Sequence, residues 1–348
     1  MAVTIYDVAE YAGVGIATVS RVINGSPHVS MHTRQRVRAA IDDLNYHPGA
    51  AARSLVSGRT RTIGFVLCQS PDRIFADAFL PEVLRGAGDA VRQNGFRVLL
   101  HPVQDIAAPS AYIGLVREEH ADGIILSGPR TDDQQLRHLK DEGFPVVLLG
   151  QLPGAGMPFV DVDNVRAARG AVQHLLCLGH RRVGMITNAP LVYTAARDRL
   201  AGYRQALAEA GIPFVQSLVG YGDFREESGH EAVESLLDLD DPPTAVFVAS
   251  DLVAFGAMVA IRLRGLKIPD DVALVGFDDV RLADYVDPPL TTVQLPAYSL
   301  GYEAARLLTR LIVGETVDRT EILLQTELVV RQSCGATKHP RGGATPAS

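Results

Sequence analysis

The chain has 348 residues, of which 47% are hydrophobic and 21% are charged. This length is sufficient for two or three folded units, and the composition predicts a soluble, multi-domain globular protein. The 33 Lys and Arg residues against 40 Asp and Glu residues give a formal net charge of −7. Such a balance argues against a protein devoted entirely to coating nucleic acid.

The charge is distributed unevenly along the chain. Residues 1–60 contain six Arg and no Lys against four acidic residues, so this segment carries +2 and the remainder carries −9. This asymmetry predicts a small module that faces an anionic partner, attached to a larger acidic unit.

The cysteines and the first residues indicate the compartment. Cys68, Cys177 and Cys334 form no C-x-x-C pair and have no neighbouring His at metal-ligand spacing, which predicts reduced thiols, with no disulfide framework and no metal site. Residues 1–11 lack the pattern of a signal peptide, and no apolar run approaches the roughly 18 residues that a membrane span needs. We therefore expect a cytoplasmic protein without a membrane segment.

Residues 1–46 have the spacing of three short helices. Thr4 with Asp7 is a start signal for the first helix, and Ser30 is a start signal for the third. Ala9, Gly13 and Val19 have the spacing of a helix-turn-helix, although a packing or dimerisation module remains an alternative at this level. In a helix-turn-helix, the second helix would enter the major groove of DNA.

The expected DNA contacts are of two kinds. Base edges would be contacted by Ile16, Ala17, Ser20 and Arg21, with the two apolar residues near a thymine methyl and Arg21 on a guanine. Phosphate contacts that position the module are expected from Thr4, Tyr6, Thr18, Asn24, Ser30 and Thr33.

From residue 61 onward, short apolar runs alternate with amphipathic stretches. Strands are predicted at TIGFVL, FRVLL, DGIIL and PVVLLG, and then at 182–186, 214–220, 244–249, 272–277 and 321–330. Helices are predicted at 81–94, 109–119, 132–142, 165–178, 195–210, 225–237, 252–265 and 297–313. This rhythm is typical of parallel sheets covered on both faces, and it predicts an α/β core of two doubly wound lobes with a cleft between them.

The expected domain boundaries follow from these patterns. We expect a helix-turn-helix domain at 1–46, a hinge helix or linker at 47–60, a bilobed core at 61–334 and a disordered tail at 335–348. Lobe one would comprise about 61–161 and 292–321, and lobe two about 162–291 and 322–334.

An enzyme on the same sheets is the alternative that the motifs disfavour. The segment from Gly13 to Thr18 begins like a dinucleotide fingerprint, but it lacks the third glycine and precedes any predicted strand. No G-x-x-x-x-G-K-[ST], G-x-S-x-G or H-E-x-x-H motif occurs. The sequence therefore predicts no enzymatic activity and no cofactor.

One run of sequence resembles a known family. TIYDVAEYAGVGIATVSRVINGSPHVSMHTRQRVRAAIDDLNYHPGAAARSL is similar to the DNA-binding headpiece and hinge of the lactose/galactose-repressor (LacI/GalR) family. The similarity continues through ADGIIL, HLLCLGHRRVGMI, RLAGYRQALAEAG, PTAVFVASD and LKIPDDVALVGFDD, so that it spans nearly the whole chain. The resemblance implies a dimeric regulator whose core is like a periplasmic binding protein and whose cleft binds a small effector.

The resemblance also assigns roles to residues. It implies that the hinge folds on DNA, with Leu55 entering the minor groove and Ala52 beside it. Gly15 and Gly49 depart from the Ser and Asn that are usual in the family. In the cleft, the resemblance implies effector contacts from Arg199, Phe224 and Asp278; further candidates are Asp77, Phe79, Ser127, Gln151 and Asp251. Ser250 stands where many sugar-responsive members have Asn, and Asp251 has a helix-capping role as its alternative.

These observations converge on an effector-gated DNA-binding regulator. We expect a repressor of carbohydrate-metabolism genes that binds a palindromic operator as a homodimer and takes a sugar or sugar phosphate in its cleft. The tail has no leucine heptads of the kind that the family's tetramers use. The alternatives are a non-regulatory sugar-binding protein of the periplasmic type, and a regulator with a non-sugar effector such as a nucleobase.

Overall fold

The computed structural model describes residues 3–23, 25–46, 59–68, 78–103, 112–118 and 120–336. The chain separates into two compact units, Met1–Arg61 and Thr62–Ser348. The predicted contacts Asn24, Ala52, Leu55 and Asp77 lie outside the described residues, as do most of the predicted hinge and the tail beyond residue 336.

The first unit contains the three expected helices, α1 (Ile5–Ala12), α2 (Ile16–Ile23) and α3 (Met31–Asp43). The Thr4 backbone N–H and hydroxyl both donate to Asp7 Oδ2 at 2.7 Å, and Ser30 Oγ accepts from the Thr33 N–H at 3.2 Å, so both predicted start signals are confirmed. Gly13 ends α1 with a left-handed φ of 61°, a conformation that glycine adopts without a steric penalty.

A small core holds these helices together. Val8, Val19 and Val37, one from each helix, are completely buried. Two arginines of α3 secure the connections: Arg36 donates to the carbonyl oxygens of Ala12 and Gly13, and Arg34 donates to that of Ser26 at 2.6 Å. Part of the positive charge of this unit therefore supports its own fold.

The second unit contains two six-stranded sheets with the same strand order. The first sheet has the order β2-β1-β3-β4-β5-β11, with β1 (Thr62–Leu67), β2 (Arg97–Pro102), β3 (Gly123–Ser127), β4 (Val146–Leu149), β5 (Phe159–Val162) and β11 (Glu321–Leu324). All of its strand pairs are parallel.

The second sheet repeats this arrangement with the order β7-β6-β8-β9-β10-β12. Its strands are β6 (Val183–Ile186), β7 (Val219–Gly220), β8 (Ala245–Val248), β9 (Ala273–Asp278), β10 (Thr292–Gln294) and β12 (Glu327–Val329). Only the β10–β12 pair is antiparallel. The predicted fold class, a helical headpiece with a bilobed α/β core, is thus confirmed.

Helices cover both sheets and pack in pairs. They are α4 (Phe79–Gln93), α5 (Ile113–Arg117), α6 (Gln135–Asp141), α7 (Asn164–Cys177), α8 (Thr194–Glu209), α9 (Glu226–Leu237), α10 (Asp251–Leu263) and α11 (Ala297–Ile312). The extensive pairs are α4 with α11, α7 with α8, and α9 with α10. The strands between them are almost fully buried, as expected for sheets covered on both faces.

Two predicted strands differ from the structure. Residues 214–220 form a 3-10 turn, Gln216–Leu218, followed by the two-residue β7, because Phe214 packs edge-on against Tyr203 of α8 instead of joining a sheet. Residues 321–330 form two strands, β11 and β12, since the chain passes from the first sheet to the second at 325–326. The prediction also missed β5 and β10.

The lobe boundaries shift accordingly. The chain crosses between the sheets near residues 163, 295 and 325. Thr292–Gln294, which we assigned to lobe one, lies in the second sheet, and residues 322–324, which we assigned to lobe two, lie in the first. A short edge strand carries too little pattern to show which of two neighbouring sheets it joins.

Substitution by alanine at two helical glycines is expected to have opposite effects on stability. A Cβ at Gly202 of α8 would lie 2.3 Å from the Val165 carbonyl oxygen of α7, whereas a Cβ at the exposed Gly170 of α7 would meet no atom within 4 Å. We expect Gly202→Ala to destabilise the core by about 1–3 kcal/mol through overpacking. Gly170→Ala should stabilise it by up to about 1 kcal/mol through helix propensity. Urea unfolding of both variants measures this difference, and equal effects would contradict the close packing of α7 on α8.

Candidate functional sites

The first candidate site is the outer face of α2. Val19 and Val22 are buried against α1 and α3, which leaves Ile16, Ala17 and Arg21 exposed, with Thr18 and Ser20 half-exposed. The Arg21 side chain makes no hydrogen bond or ion pair with another described residue. The side chains predicted to contact base edges therefore lie together on one exposed helical face.

The predicted phosphate contacts lie around this face. Thr4, Tyr6 and Ser30 are exposed and Thr33 is half-exposed. The hydroxyls of Thr4 and Ser30 already serve as helix caps, and Ser30 Oγ donates to Thr33 Oγ1 at 2.9 Å. The N–H groups of Thr4 and Thr33 already donate to Asp7 and Ser30, so an anion at these helix ends would be bound by other N–H groups of the first turns, which have no partner within the helix.

The second candidate site is a pocket between the two sheets of the core. It encloses about 970 Å³ of space, part of which is open to solvent. Its walls are the carboxyl ends of the strands, with Leu67, Ser127 and Val162 from the first sheet and Ser250 and Asp278 from the second. This is the position at which doubly wound parallel sheets bind ligands.

Five of the eight predicted effector contacts line this pocket. They are Phe79, Ser127, Arg199, Phe224 and Asp278. Gln151 does not line it; its amide nitrogen donates to Asp161 Oδ2 at 3.2 Å and to the Val162 carbonyl at 3.3 Å, so it supports the wall from behind. The remaining prediction that can be located, Asp251, also lies outside the pocket.

Asp251 is a structural residue. It is completely buried at the first position of α10, where its Oδ1 accepts from the Thr292 hydroxyl at 2.6 Å and its Oδ2 accepts from the Val280 N–H at 3.0 Å. Burial and the nearby carboxylate of Asp278 raise the pKa of Asp251 well above its usual value. This carboxyl thus fixes the turn that follows β9, and the expectation that it contacts the effector is wrong.

Arg199 is the central polar group of the pocket. Its Nε donates to Asn164 Oδ1 at 2.9 Å and its Nη1 donates to the Ala249 carbonyl at 2.6 Å. The same Nη1 lies 3.7 Å from Asp278 Oδ1, and the guanidinium carbon lies 3.8 Å from the centre of the Phe277 ring. The guanidinium is thereby held in one orientation at the floor of the pocket.

Asp161 is a lining residue that the sequence prediction missed. Both of its carboxylate oxygens accept from Asn164 Nδ2 at 3.2 Å. Burial raises the pKa of Asp161 to about 6, against the opposing effects of the Val162 N–H, Gln151 and Arg199. Asp161 lies in strand β5, whose sequence is FVDV. Its polar side chain interrupts the apolar run from which the strand could have been predicted.

Asn188 and Tyr193 are two further lining residues that the prediction missed. Asn188 follows β6 directly, so the rule that strand ends contribute to the cleft could have identified it. The centres of the Tyr193 and Phe224 rings lie 5.0 Å apart with an angle of 89° between the ring planes, so the two rings form an aromatic corner. Tyr193 immediately precedes α8, and nothing in the sequence at this position indicated a lining residue. Aromatic corners of this kind offer apolar contact to a ligand whose remaining groups are polar.

A clasp, which we define as residues 129–131 and 192–194, joins the two lobes beside the pocket. The Thr131 N–H donates to the Val192 carbonyl at 2.9 Å, and the Thr194 N–H donates to the Pro129 carbonyl at 3.2 Å. The Tyr193 hydroxyl donates to the Cys68 carbonyl at 2.7 Å, and Arg130 lies over the Tyr193 ring at 5.1 Å. The aromatic corner is therefore connected to the contact between lobes.

The described part of the chain offers neither a metal centre nor a spanning helix. Its His, Cys, Asp and Glu side chains form no group of three suited to a metal ion. None of its helices combines the length and the apolar composition that would cross a membrane. All three cysteines are free, with Cys68 and Cys334 buried.

Comparisons with known proteins match both parts of the chain. Residues 4–49 match the model of bacterial regulatory proteins of the lacI family, and residues 172–334 match a periplasmic binding protein-like domain. The chain is 40% identical over 333 residues to the HTH-type transcriptional regulator CelR of Thermobifida fusca, covering 95% of this chain and 98% of CelR.

Two solved structures extend the similarity to the fold. A complex of the transcriptional regulator CelR with cellobiose has a TM-score of 0.75 at 38% identity, covering 95% of this chain and 99% of that one. The lac repressor dimer bound to operator and the anti-inducer ONPF has a TM-score of 0.85 at 30% identity, covering 96% and 99%. The resemblance seen in the sequence is confirmed: the chain belongs to the lacI family of bacterial regulatory proteins and is an effector-gated, DNA-binding transcription regulator.

Proposed function

We propose that this protein acts in the cytoplasm as a repressor of carbohydrate-metabolism genes. It binds a palindromic operator as a homodimer, and a sugar or sugar phosphate in the core pocket changes its affinity for the operator. The observation that carries this proposal is the pairing of an exposed recognition face on α2 with a pocket that combines the Arg199–Asp278 ion pair with an aromatic corner. The similar CelR structure holds cellobiose.

The roles of individual residues form part of the proposal. Arg21 donates two hydrogen bonds to a guanine edge, and Ile16 and Ala17 contact a thymine methyl. Arg199 and Asp278 bind vicinal hydroxyls of the effector, while Phe224 lies against the apolar face of its ring. Phosphate contacts and the hinge hold the protein in register and bend the DNA without reading most of the sequence.

Gating requires that the effector prefer one arrangement of the lobes. A ligand shifts a conformational equilibrium only by the difference between its affinities for the two states. Because Thr194 and Tyr193 belong both to the pocket lining and to the clasp, a ligand that contacts them acts directly on the contact between lobes. We propose that this coupling carries the signal toward the hinge, where it changes how readily the hinge orders on DNA.

The homodimer fits two apolar surfaces of the second lobe. Val259 and Leu263 are 50% and 74% exposed on α10, and Leu282 and Tyr285 are 51% and 71% exposed at the 3-10 turn after β9. Both elements pack on the same small core cluster. Exposed apolar groups at this density are typical of protein interfaces. A twofold axis through this lobe would pair two headpieces with the two halves of a palindrome.

A non-enzymatic role agrees with the chemistry of the pocket. Its two carboxylates are engaged by the protein: Asp278 Oδ1 lies 3.7 Å from Arg199 Nη1, and Asp161 accepts from Asn164 and Gln151. The pocket is suited to holding a ligand and transmitting its presence.

The experiment that tests the proposal is selection of binding sites from a random DNA duplex pool at fixed physiological salt. We expect enrichment of a palindrome with a central CG step, followed by a change in affinity when sugars and sugar phosphates are titrated in an anisotropy assay. Binding that merely follows salt concentration, without enrichment, would contradict the proposed operator recognition.

Substitution of Arg21 tests the reading of bases. Arg21→Ala should weaken binding to the enriched site, relative to random DNA, by about 1–3 kcal/mol because a bidentate contact is lost. Arg38→Ala removes the same charge from the exposed surface of α3 and serves as the control, with equal losses expected on both DNAs. If Arg21→Ala weakens binding to random DNA as much as it weakens binding to the enriched site, Arg21 contributes only its charge.

Substitution of Arg199 tests the effector site. Arg199→Lys keeps the charge but cannot reproduce the fork that reaches Asn164 and Ala249, so effector binding should weaken by about 1.5–3 kcal/mol. Operator affinity without effector should be retained. The matched control is Arg197→Lys, two residues earlier with a side chain that is 44% exposed. Calorimetric titration of the effector decides the result, and equal affinities in the two variants would refute the role of Arg199.

A further inference from the structure

The charged side chains that line the pocket are two anions and one cation. Two carboxylates, those of Asp161 and Asp278, line it, whereas Arg199 is the single cationic side chain among its described lining residues. The described wall therefore carries a surplus of negative charge when both carboxylates are ionised. A ligand hydroxyl, which can donate to a carboxylate, suits this wall better than a further anion does.

The guanidinium of Arg199 is already occupied by the protein. It compensates Asp278, donates to Asn164 and Ala249, and lies on the face of Phe277. Its side chain is only 8% exposed. An incoming anion would have to compete for these contacts in a poorly solvated place, where a rearranged ion pair is costly.

Asn188 supplies an acceptor that the protein leaves unused. Asn188 as a residue is 6% exposed, and its carboxamide oxygen accepts no hydrogen bond from the described residues. The turn that carries Asn188 is fixed, since Thr187 Oγ1 donates to the Ala189 carbonyl at 2.9 Å and the Phe224 N–H donates to the Asn188 carbonyl at 2.8 Å. A buried acceptor without a hydrogen bond destabilises the protein by about 1–3 kcal/mol, so a donor on the ligand would remove this unfavourable free energy.

From these three observations we infer that the pocket selects an uncharged, hydroxyl-rich ligand and excludes the phosphorylated form of the same molecule. Asn188 accepts from a ligand hydroxyl, and Asp161 and Asp278 accept from others. A phosphate group at neutral pH carries about −1.5 to −2 charge and strong acceptors in place of donors. It would meet two carboxylates with like charge and an arginine that is already paired. The inference rests on the proposed function, in that the effector is taken to be a carbohydrate. It selects the neutral sugar over the sugar phosphate, both of which the proposed function allows.

The test compares neutral sugars with their phosphates on the full-length protein. Cellobiose, maltose, glucose and galactose are titrated by calorimetry beside glucose 6-phosphate and galactose 6-phosphate, with inorganic phosphate as the control for the anion alone. We expect at least one neutral sugar to bind and its 6-phosphate to bind at least about tenfold more weakly, since like charges in a desolvated site repel strongly.

Charge-neutral variants test the cause of the selectivity. Asp278→Asn removes one carboxylate at a residue with φ of 121°, a backbone conformation in which Asn is better tolerated than most residues. It should reduce the preference for the neutral sugar at least threefold, roughly the effect of one weak charge contact. Asp223→Asn makes the same charge change outside the pocket, where Asp223 pairs with Arg225, and should leave the preference unchanged.

A variant of Asn188 tests the unused acceptor. Asn188→Ala should weaken binding of the neutral sugar by about three- to tenfold, the effect of one hydrogen bond, while the melting temperature of the unliganded protein does not fall, because an unsatisfied acceptor is removed. A lower melting temperature with unchanged affinity would assign Asn188 a structural role and overturn its part in the inference.

The outcomes separate this inference from the proposed function. If a 6-phosphate binds as tightly as its parent sugar or more tightly, the selectivity is overturned while the carbohydrate effector stands. If no sugar of either kind binds or alters operator affinity, the carbohydrate effector is wrong and the selectivity falls with it.

Discussion

The buried guanidinium of Arg199 is the interaction on which the core pocket depends. A cation with a side chain that is 8% exposed would be strongly unfavourable unless it were paired. Here the pairing joins the start of α7 through Asn164, the end of β8 through Ala249 and the end of β9 through Asp278. The same residue therefore neutralises one wall of the pocket and holds three chain segments at a common point. Asp251 extends this arrangement below the pocket, where it fixes the turn from β9 by two hydrogen bonds.

The repeated strand order of the two sheets explains where the pocket lies. Each sheet places the carboxyl ends of its strands at one edge, and the chain crosses between the sheets several times, so the two edges face each other across a cleft. The clasp at residues 129–131 and 192–194 joins the lobes by backbone hydrogen bonds that depend on their relative position. A ligand that meets Tyr193 and Arg199 together contacts both the floor of the pocket and the clasp between the lobes. This arrangement suits a binding protein whose occupancy must be read elsewhere in the chain.

The candidate sites differ in how far the sequence predicted them. Short-range rules sufficed for the headpiece: the caps at Thr4 and Ser30, the left-handed Gly13 and the buried Val19 all depend on neighbours within a few residues. In the core, residues in strong family motifs, such as Arg199, Phe224 and Asp278, were found to line the pocket. Asp161 and Tyr193 escaped prediction because each becomes a lining residue only when strands far apart in the chain come together, whereas the strand-end rule could have identified Asn188.

The helix-turn-helix, the alternation of strands and helices, and the assignment to a family could all be predicted from the sequence, since they depend on local spacing and on long runs of matching residues. The tertiary structure alone decided which sheet each short edge strand joins, because β10, β11 and β12 have three or four residues each and acquire their partners through crossings between lobes. It also decided the roles of Asp251 and Gln151. Both are polar residues near strand ends, and only the packing around them turns their side chains toward the protein and away from the pocket.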